Sequence, residues 1–211
     1  MLTNILQSIG RTPLLRLNAL GADLPATVWL KLENRNPGGS IKDRVAFHVI
    51  DKTMEWGDIE AGGTIVEATS GIALVAAVRG LHCVLTMPDS MSVERRNLLH
   101  ALGAELVLTP AAEGMKGAIK VAEKLAEERN GLLFGQFSNP LAVEAHYLTT
   151  GPEILADSVG HMDVLVAGVG SGSSITGTGR FLKENIPGFK VMAVEPAESP
   201  VLSGGQAGQH G

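Results

Sequence analysis

The sequence predicts an α/β fold built on mostly parallel sheets, and three observations carry that expectation. Short β-branched or apolar runs alternate with longer segments of helical period. The first helical segment places Ile41, Val45 and Val49 at i, i+4 and i+8, a single apolar face that turns Lys42 away. Loops rich in Gly, Ser and Thr fall where a strand gives way to a helix, the place where parallel sheets gather functional groups.

Taken in order, residues 28–32, 64–67, 83–87, 105–109, 164–167 and 191–195 read as strands, being short runs dominated by Val, Ile, Leu and Thr. Residues 41–54, 93–102, 115–128 and 175–184 read as helices, with a further helical run at 72–78. No internal repeat interrupts this order. Residues 203–211 are rich in Gly and Ser, have no apolar period and follow directly on a strand. They are expected to be a flexible tail or the end of a chain cut in mid-fold.

Composition narrows the function. Hydrophobic residues at 45 % of the 211 support a substantial core, and 17 Lys and Arg against 22 Asp and Glu give a net charge of −5. With no basic run, the surface is not that of a nucleic-acid binder. Cys83 is the single cysteine, which excludes an intramolecular disulfide and a thiolate metal cluster. Within an apolar run it is expected to be buried. No signal-like N-terminus and no run of about 20 apolar residues is present, so a cytosolic protein without a metal is expected.

Three loops carry candidate chemistry. In Asn36-Pro37-Gly38-Gly39-Ser40-Ile41-Lys42-Asp43-Arg44, Ser40 is expected to cap the following helix. Lys42 then lies in the first turn, where the helix dipole lowers an amine's pKa and suits it to attack a carbonyl. In Glu67-Ala68-Thr69-Ser70-Gly71, hydroxyls and amides at a strand-to-helix turn can cradle a carboxylate or a phosphate, or Thr69 or Ser70 can simply cap the helix. Gly168-Val169-Gly170-Ser171-Gly172-Ser173-Ser174-Ile175-Thr176-Gly177 has neither dinucleotide spacing nor a P-loop lysine. It reads as a cradle for the phosphate of a phosphorylated cofactor, with a flexible linker as the alternative.

These loops, together with the run from Met87 to Arg96, Gln136-Phe137-Ser138-Asn139-Pro140 and Thr149-Thr150-Gly151-Pro152-Glu153-Ile154, resemble the cysteine synthase (O-acetylserine sulfhydrylase) group of fold-type II pyridoxal phosphate enzymes. The resemblance starts at Ile9-Gly10-Arg11-Thr12-Pro13-Leu14 and runs in the same order to the last residues. It implies pyridoxal 5'-phosphate held on Lys42, with Gly170, Ser171, Gly172, Ser173 and Ser174 at its phosphate. Thr69, Ser70, Gly71 and Gln136 would bind the substrate's α-carboxylate. It further implies two three-layer α/β domains, a larger one from residues 1–39 and 149–211 and a smaller mobile one from 40–148. The implied activity is conversion of O-acetyl-L-serine and sulfide to L-cysteine and acetate. Alternatives are a cystathionine β-synthase or serine dehydratase-like activity, or a non-catalytic truncated paralogue. A homodimer is implied for the complete protein, as is a partner in the C-terminal tail of serine acetyltransferase.

The sequence departs from the family in two places. Where the family has Asn-Thr-Gly after Ser-Gly, Gly71 here runs straight into Ile72, and two more residues are missing between Leu74 and Val75. Losing those two turns a helical face by about 200°. The family's last third, with the hydroxyl that meets the pyridine nitrogen, does not follow Gly211. Little or no synthase activity is therefore expected of the chain as it stands.

Overall fold

The computed structural model describes residues 1–19 and 21–208. By internal packing the chain forms two compact units, Met1–Thr12 with Glu33–Asn139, and Pro13–Leu32 with Pro140–Gly211.

The first unit contains helix α1 (Lys42–Trp56), strand β1 (Thr64–Glu67), α2 (Ala73–Arg79), β2 (His82–Pro88), α3 (Val93–Ala101), β3 (Glu105–Thr109), α4 (Gly114–Glu128) and β4 (Leu132–Leu133). Its four strands make one parallel sheet in the order β3-β2-β1-β4. The central β2 is a nearly continuous apolar run, as a strand covered on both faces requires. Cys83 lies within it, buried. One cover is α4, whose Ala118, Ala122 and Ala126 pack on Val66, Ala68 and Val84. Small side chains at this spacing let the helix lie close to the sheet. Val45 and Val49 of α1 are buried as their period requires, and Lys42 is on the exposed side.

The order of these strands decides where a ligand can bind. The chain adds β2 and β3 on one side of β1, then returns to place β4 on the other. Beyond their carboxyl ends, the loops after β1 and β4 therefore leave in opposite directions and open a crevice. The Glu67–Gly71 loop and the Gln136 loop are those two connections.

The second unit contains strands β5 (Leu14–Arg16) and β6 (Trp29–Lys31), an antiparallel pair, then α5 (Leu141–Leu148), α6 (Thr150–Asp157), β7 (Val164–Gly168), α7 (Ser173–Asn185) and β8 (Lys190–Val194). Strands β7 and β8 are parallel, and α7 connects them. The core beneath is Ile154, Leu182, Ile186 and Phe189, with Leu165 and Val191 contributed by the strands. Lys31 joins β6 to α6 through Glu153 at 2.9 Å and Asp157 at 3.3 Å. Val166, Met192 and Val194 are all more than half exposed.

The expected strands and helices lie within two residues of those observed, with α7 beginning at Ser173 rather than Ile175. Strands β5 and β4, of three and two residues, are too short to give a periodic signal. Helices α5 and α6 were not anticipated. Thr150-Gly151-Pro152 reads as a break, yet Pro152 sits in the first turn of α6, where its missing N–H costs nothing. In α2 the buried side chains are Ala73, Val75 and Ala76, so the shortened helix still presents an apolar face. Residues 203–208 follow a turn in which Glu195 accepts from Leu202 N (2.6 Å) and Ser203 N (3.0 Å); residues 209–211 of the expected tail lie outside the described residues. Among the described residues, no helix is long and apolar enough to cross a membrane, and no His/Cys/Asp/Glu group could hold a metal.

Helix α7 meets α5 at Gly177, where an added Cβ would strike the Val143 carbonyl oxygen and lie 2.9 Å from His146 Cβ. Gly177→Ala is expected to cost about 1–3 kcal/mol by overpacking. A lowered denaturant midpoint checks this, and an unchanged midpoint contradicts it.

Candidate active site

In the first unit, the turn that carries Lys42 is built on a buried ion pair. Arg44, two residues after Lys42, donates through Nε to Glu33 Oε2 (2.7 Å) and through an Nη to Glu33 Oε1 (2.8 Å). Its side chain is only 1 % exposed, and it also donates to Thr12 Oγ1 at 3.1 Å. Burial alone would raise the Glu33 carboxyl, but the Arg44 and Thr12 hydrogen bonds and the Arg44 charge outweigh it and hold the group below its ordinary value. Asn36 extends the network, accepting from Gly10 N at 2.8 Å and donating to the Glu33 carbonyl at 2.9 Å. The first turn of α1 is thereby locked to two other segments.

Ser40 is not the helix cap. The cap position is Ile41, and the Ser40 hydroxyl accepts only a long bond from Lys42 N at 3.3 Å. The loop is closed instead by Asp43, whose carboxylate accepts from Gly38 N at 2.5 Å. A carboxylate in the first turn satisfies a loop amide and suits the helix dipole, while the helix itself has no side-chain cap.

Lys42 presents its amine from this fixed turn. A Cβ added at Gly71 would lie 3.1 Å from Lys42 Cβ and 3.3 Å from Cδ, so the backbone of the carboxylate loop lies against the lysine stem. Partial desolvation lowers the Lys42 amine, the Arg95 charge lowers it further, and Glu67 opposes both. The direction expected from sequence is met, with desolvation rather than the helix dipole as its largest cause.

The Glu67–Gly71 loop leads into a 3₁₀ turn at Ser70–Ile72 that runs directly into α2. Neither Thr69 nor Ser70 caps a helix through its side chain. Thr69 Oγ1 is buried with no hydrogen-bond partner. An orphaned buried hydroxyl costs about 1–3 kcal/mol, and it points to an acceptor or donor that arrives with a ligand. Gln136 is half-buried in the loop after β4, where its amide reaches Glu67 Oε2 at 3.1 Å. Lys42, Thr69, Ser70, Gly71 and Gln136 are thus carried by neighbouring elements of one unit.

In the second unit, the Gly/Ser loop joins β7 to α7. It is a tight strand-to-helix turn, pinned by Val169 N donating to the Val194 carbonyl at 2.9 Å, and not a linker. Gly172 stands at φ 82°, a left-handed conformation that glycine adopts without strain. Added Cβ atoms at Gly168, Gly170 and Gly172 would meet nothing within 4 Å. Ser171 and Ser173 hydroxyls lie 3.0 Å apart, and the first-turn amides of α7 have no intrahelical acceptor. Open glycines, two hydroxyls and first-turn amides at the start of a 13-residue helix could hold an anion such as a phosphate.

Residues 5–211 match the model of the pyridoxal-phosphate-dependent enzyme family. A cysteine synthase of Staphylococcus aureus is 51 % identical over 213 positions, covering 98 % of this chain and 69 % of that protein. Those 213 positions exceed the 211 residues here, so at least two of them have no counterpart in this chain. Among solved structures, the cysteine synthase of Entamoeba histolytica superposes with a TM-score of 0.94 at 38 % identity, over 100 % of this chain and 65 % of its own. An O-acetylserine-dependent cystathionine β-synthase from Helicobacter pylori gives 0.91 at 38 %, over 100 % and 71 %. The chain belongs to the pyridoxal-phosphate-dependent enzyme family, and its cofactor is pyridoxal phosphate. The residues present fit that group, with an amine of lowered pKa for the aldehyde and a phosphate cradle.

Sequence reasoning quoted Glu67 but gave it no role, and it did not single out Arg95 or the Glu33–Arg44 pair. A charged residue ending a buried apolar strand is the signal that could have found Glu67.

Two outcomes follow for these loops. Thr69→Val keeps the shape and the extended backbone at that position. It is expected to stabilise the ligand-free protein by about 1 kcal/mol and to weaken binding of an amino-acid carboxylate about tenfold. Denaturation and calorimetry measure the two effects, and loss of stability would refute the orphan-hydroxyl argument. Gly170→Asp puts negative charge into the cradle without steric conflict. It is expected to weaken pyridoxal phosphate binding at least about tenfold while stability changes by less than about 0.5 kcal/mol. Equal affinity in a titration would remove the phosphate from this loop.

Proposed function

We propose that this protein makes L-cysteine by β-replacement on O-acetyl-L-serine, with sulfide as the incoming nucleophile and acetate as the leaving group. The observation that carries the reading is Lys42, an amine lowered by desolvation and packed against the loop that holds the orphaned Thr69 hydroxyl. The 51 % identity to a cysteine synthase supports the choice of substrates.

When bound, pyridoxal phosphate supplies the electron sink that lets a proton leave the substrate's α-carbon. Lys42 Nζ would hold the cofactor through its aldehyde and, when not so engaged, would accept the α-proton. Thr69, Ser70, Gly71 and Gln136 hold the α-carboxylate, and Gly170, Ser171, Gly172, Ser173 and Ser174 hold the cofactor phosphate. Acetate departs from the β-carbon with its bonding pair, hydrosulfide adds there, and Lys42 Nζ would return the proton to the α-carbon. The short turn at Thr69–Ile72 offers fewer groups to the substrate than the family's longer loop, which lowers turnover in this reading.

The reading extends to a cytosolic homodimer; residues 33–39, expected in the larger domain, are tied instead to the unit that carries Lys42 by the Arg44–Glu33 pair. The C-terminal tail of serine acetyltransferase is a candidate partner for the carboxylate loop. A second reading, cystathionine formation, is favoured by the likeness to the Helicobacter pylori enzyme. Assays of acetylserine with sulfide, acetylserine with homocysteine and serine with homocysteine separate the two.

The direct test is covalent. Borohydride reduction of the protein with pyridoxal phosphate, then peptide mapping, should place the adduct on Lys42. Its formation should show a pH midpoint below the ordinary lysine value of 10.5. Lys31 and Lys52 are held by carboxylates, and an adduct on either one instead overturns the assignment.

A further inference from the structure

Glu67 is the last residue of β1 and is 2 % exposed, the one buried carboxylate in a sheet whose other buried strand positions are apolar apart from Thr86 and Thr109. Carboxylates do not stay in such places unless their lone pairs are met. Here both oxygens are used, in different directions. Oε1 accepts from Ala68 N at 2.7 Å, at the head of the carboxylate loop. Oε2 accepts from Gln136 N at 3.1 Å, in the loop after β4, and the Gly135 amide contributes as well.

The place of these bonds is telling. Strands β1 and β4 pair at Ile65–Leu132 and Val66–Leu133, and the last backbone bond between them runs from Phe134 N to the Val66 carbonyl at 3.0 Å. Beyond it the two chains splay apart at the switch in strand order. The Glu67 carboxylate takes the role of the missing ladder and bridges the two loops where the backbone no longer can.

We infer that Glu67 is a positioning residue: its carboxylate staples the Thr69–Ser70 turn to the Gln136 loop at the spacing an amino-acid carboxylate needs, and its charge faces Lys42. The inference rests on the reading above, in which those three residues hold the substrate's α-carboxylate. Burial raises the Glu67 carboxyl, while the amides of Gln136, Ala68 and Gly135 and the Lys42 charge act against it. The other titratable group facing it is the Cys83 thiol, pushed up to about 12 by burial and by the Glu67 charge, and Arg95 faces Lys42. A neutral thiol and a backed-up lysine leave the amides as the main partners of the carboxylate.

The test uses the full chain and Glu67→Gln, which keeps shape but offers one acceptor where two donors wait. Three changes are expected together. Affinity for L-alanine, an amino acid without a β-leaving group, falls about tenfold by calorimetry with pyridoxal phosphate bound. Amide hydrogen exchange at Ala68 and Gln136 speeds up. Competitive acylation of Lys42 without cofactor shifts its midpoint to lower pH, because the opposing charge is gone; a purely structural role would not move it. Wild-type L-alanine binding that the variant retains, or an unmoved Lys42 midpoint, overturns the inference alone. A wild-type chain that binds no L-alanine defeats the functional reading and the inference with it. Should the variant fail to fold, the wild-type protein decides. The Ala68 and Gln136 amide resonances should titrate together through one transition as Glu67 protonates, and separate or absent transitions overturn the staple.

Discussion

A parallel sheet can stay paired only while its strands run side by side, and this one stops at a defined point. After Val66 and Leu133 the chains leaving β1 and β4 part, because the strand order has reversed between them. The amides freed by that parting must find acceptors, and the crevice they line is where a small anion fits best. The α1 turn that carries Lys42 is fixed beside this crevice by a different device, the buried Arg44–Glu33 pair with Thr12 and Asn36. Breaking one partner of such a pair leaves an uncompensated buried charge, so this is a brace that tolerates little change.

Much of this was legible before the structure was seen, for reasons that can be located. The apolar runs around Val66, Leu85 and Val107 announce themselves because a covered parallel strand has no polar face to confuse its reading. Lys42, Thr69 and Ser70 stood out through the chemistry of their loops, whereas Gln136 and the particular roles given to all of them came only from motif resemblance. What escaped was whatever depends on contact across the chain. Nothing local to Glu67 says that its two oxygens serve two loops 69 residues apart for Gln136. Nothing in the string around Ser40 says that Asp43 will take over the loop amide. The Lys42 shift was anticipated in sign and misattributed in cause, because a dipole can be inferred from a helix start whereas desolvation needs the neighbours.

The site also shows where folding and ligand binding pull against each other. A hydroxyl with no partner at Thr69, a carboxylate in an apolar sheet at Glu67 and an amine held short of full hydration at Lys42 each destabilise the ligand-free molecule. None of these would be chosen for stability alone. They lie within one small region of the first unit, while its remaining core is alanine and branched aliphatic packing of an ordinary kind.

The chain's single thiol has a practical consequence. Cys83 is 5 % exposed and burial pushes its thiol up to about 12, so at neutral pH it stays protonated. Alkylating reagents attack the thiolate, and this one is both scarce and covered. The native protein is therefore a ready background for optical probes: a cysteine introduced on the open rim of either unit can take a maleimide dye without first replacing the resident one. Motions of the loops around Lys42 could then be followed by fluorescence in a molecule whose interior has been left as it was.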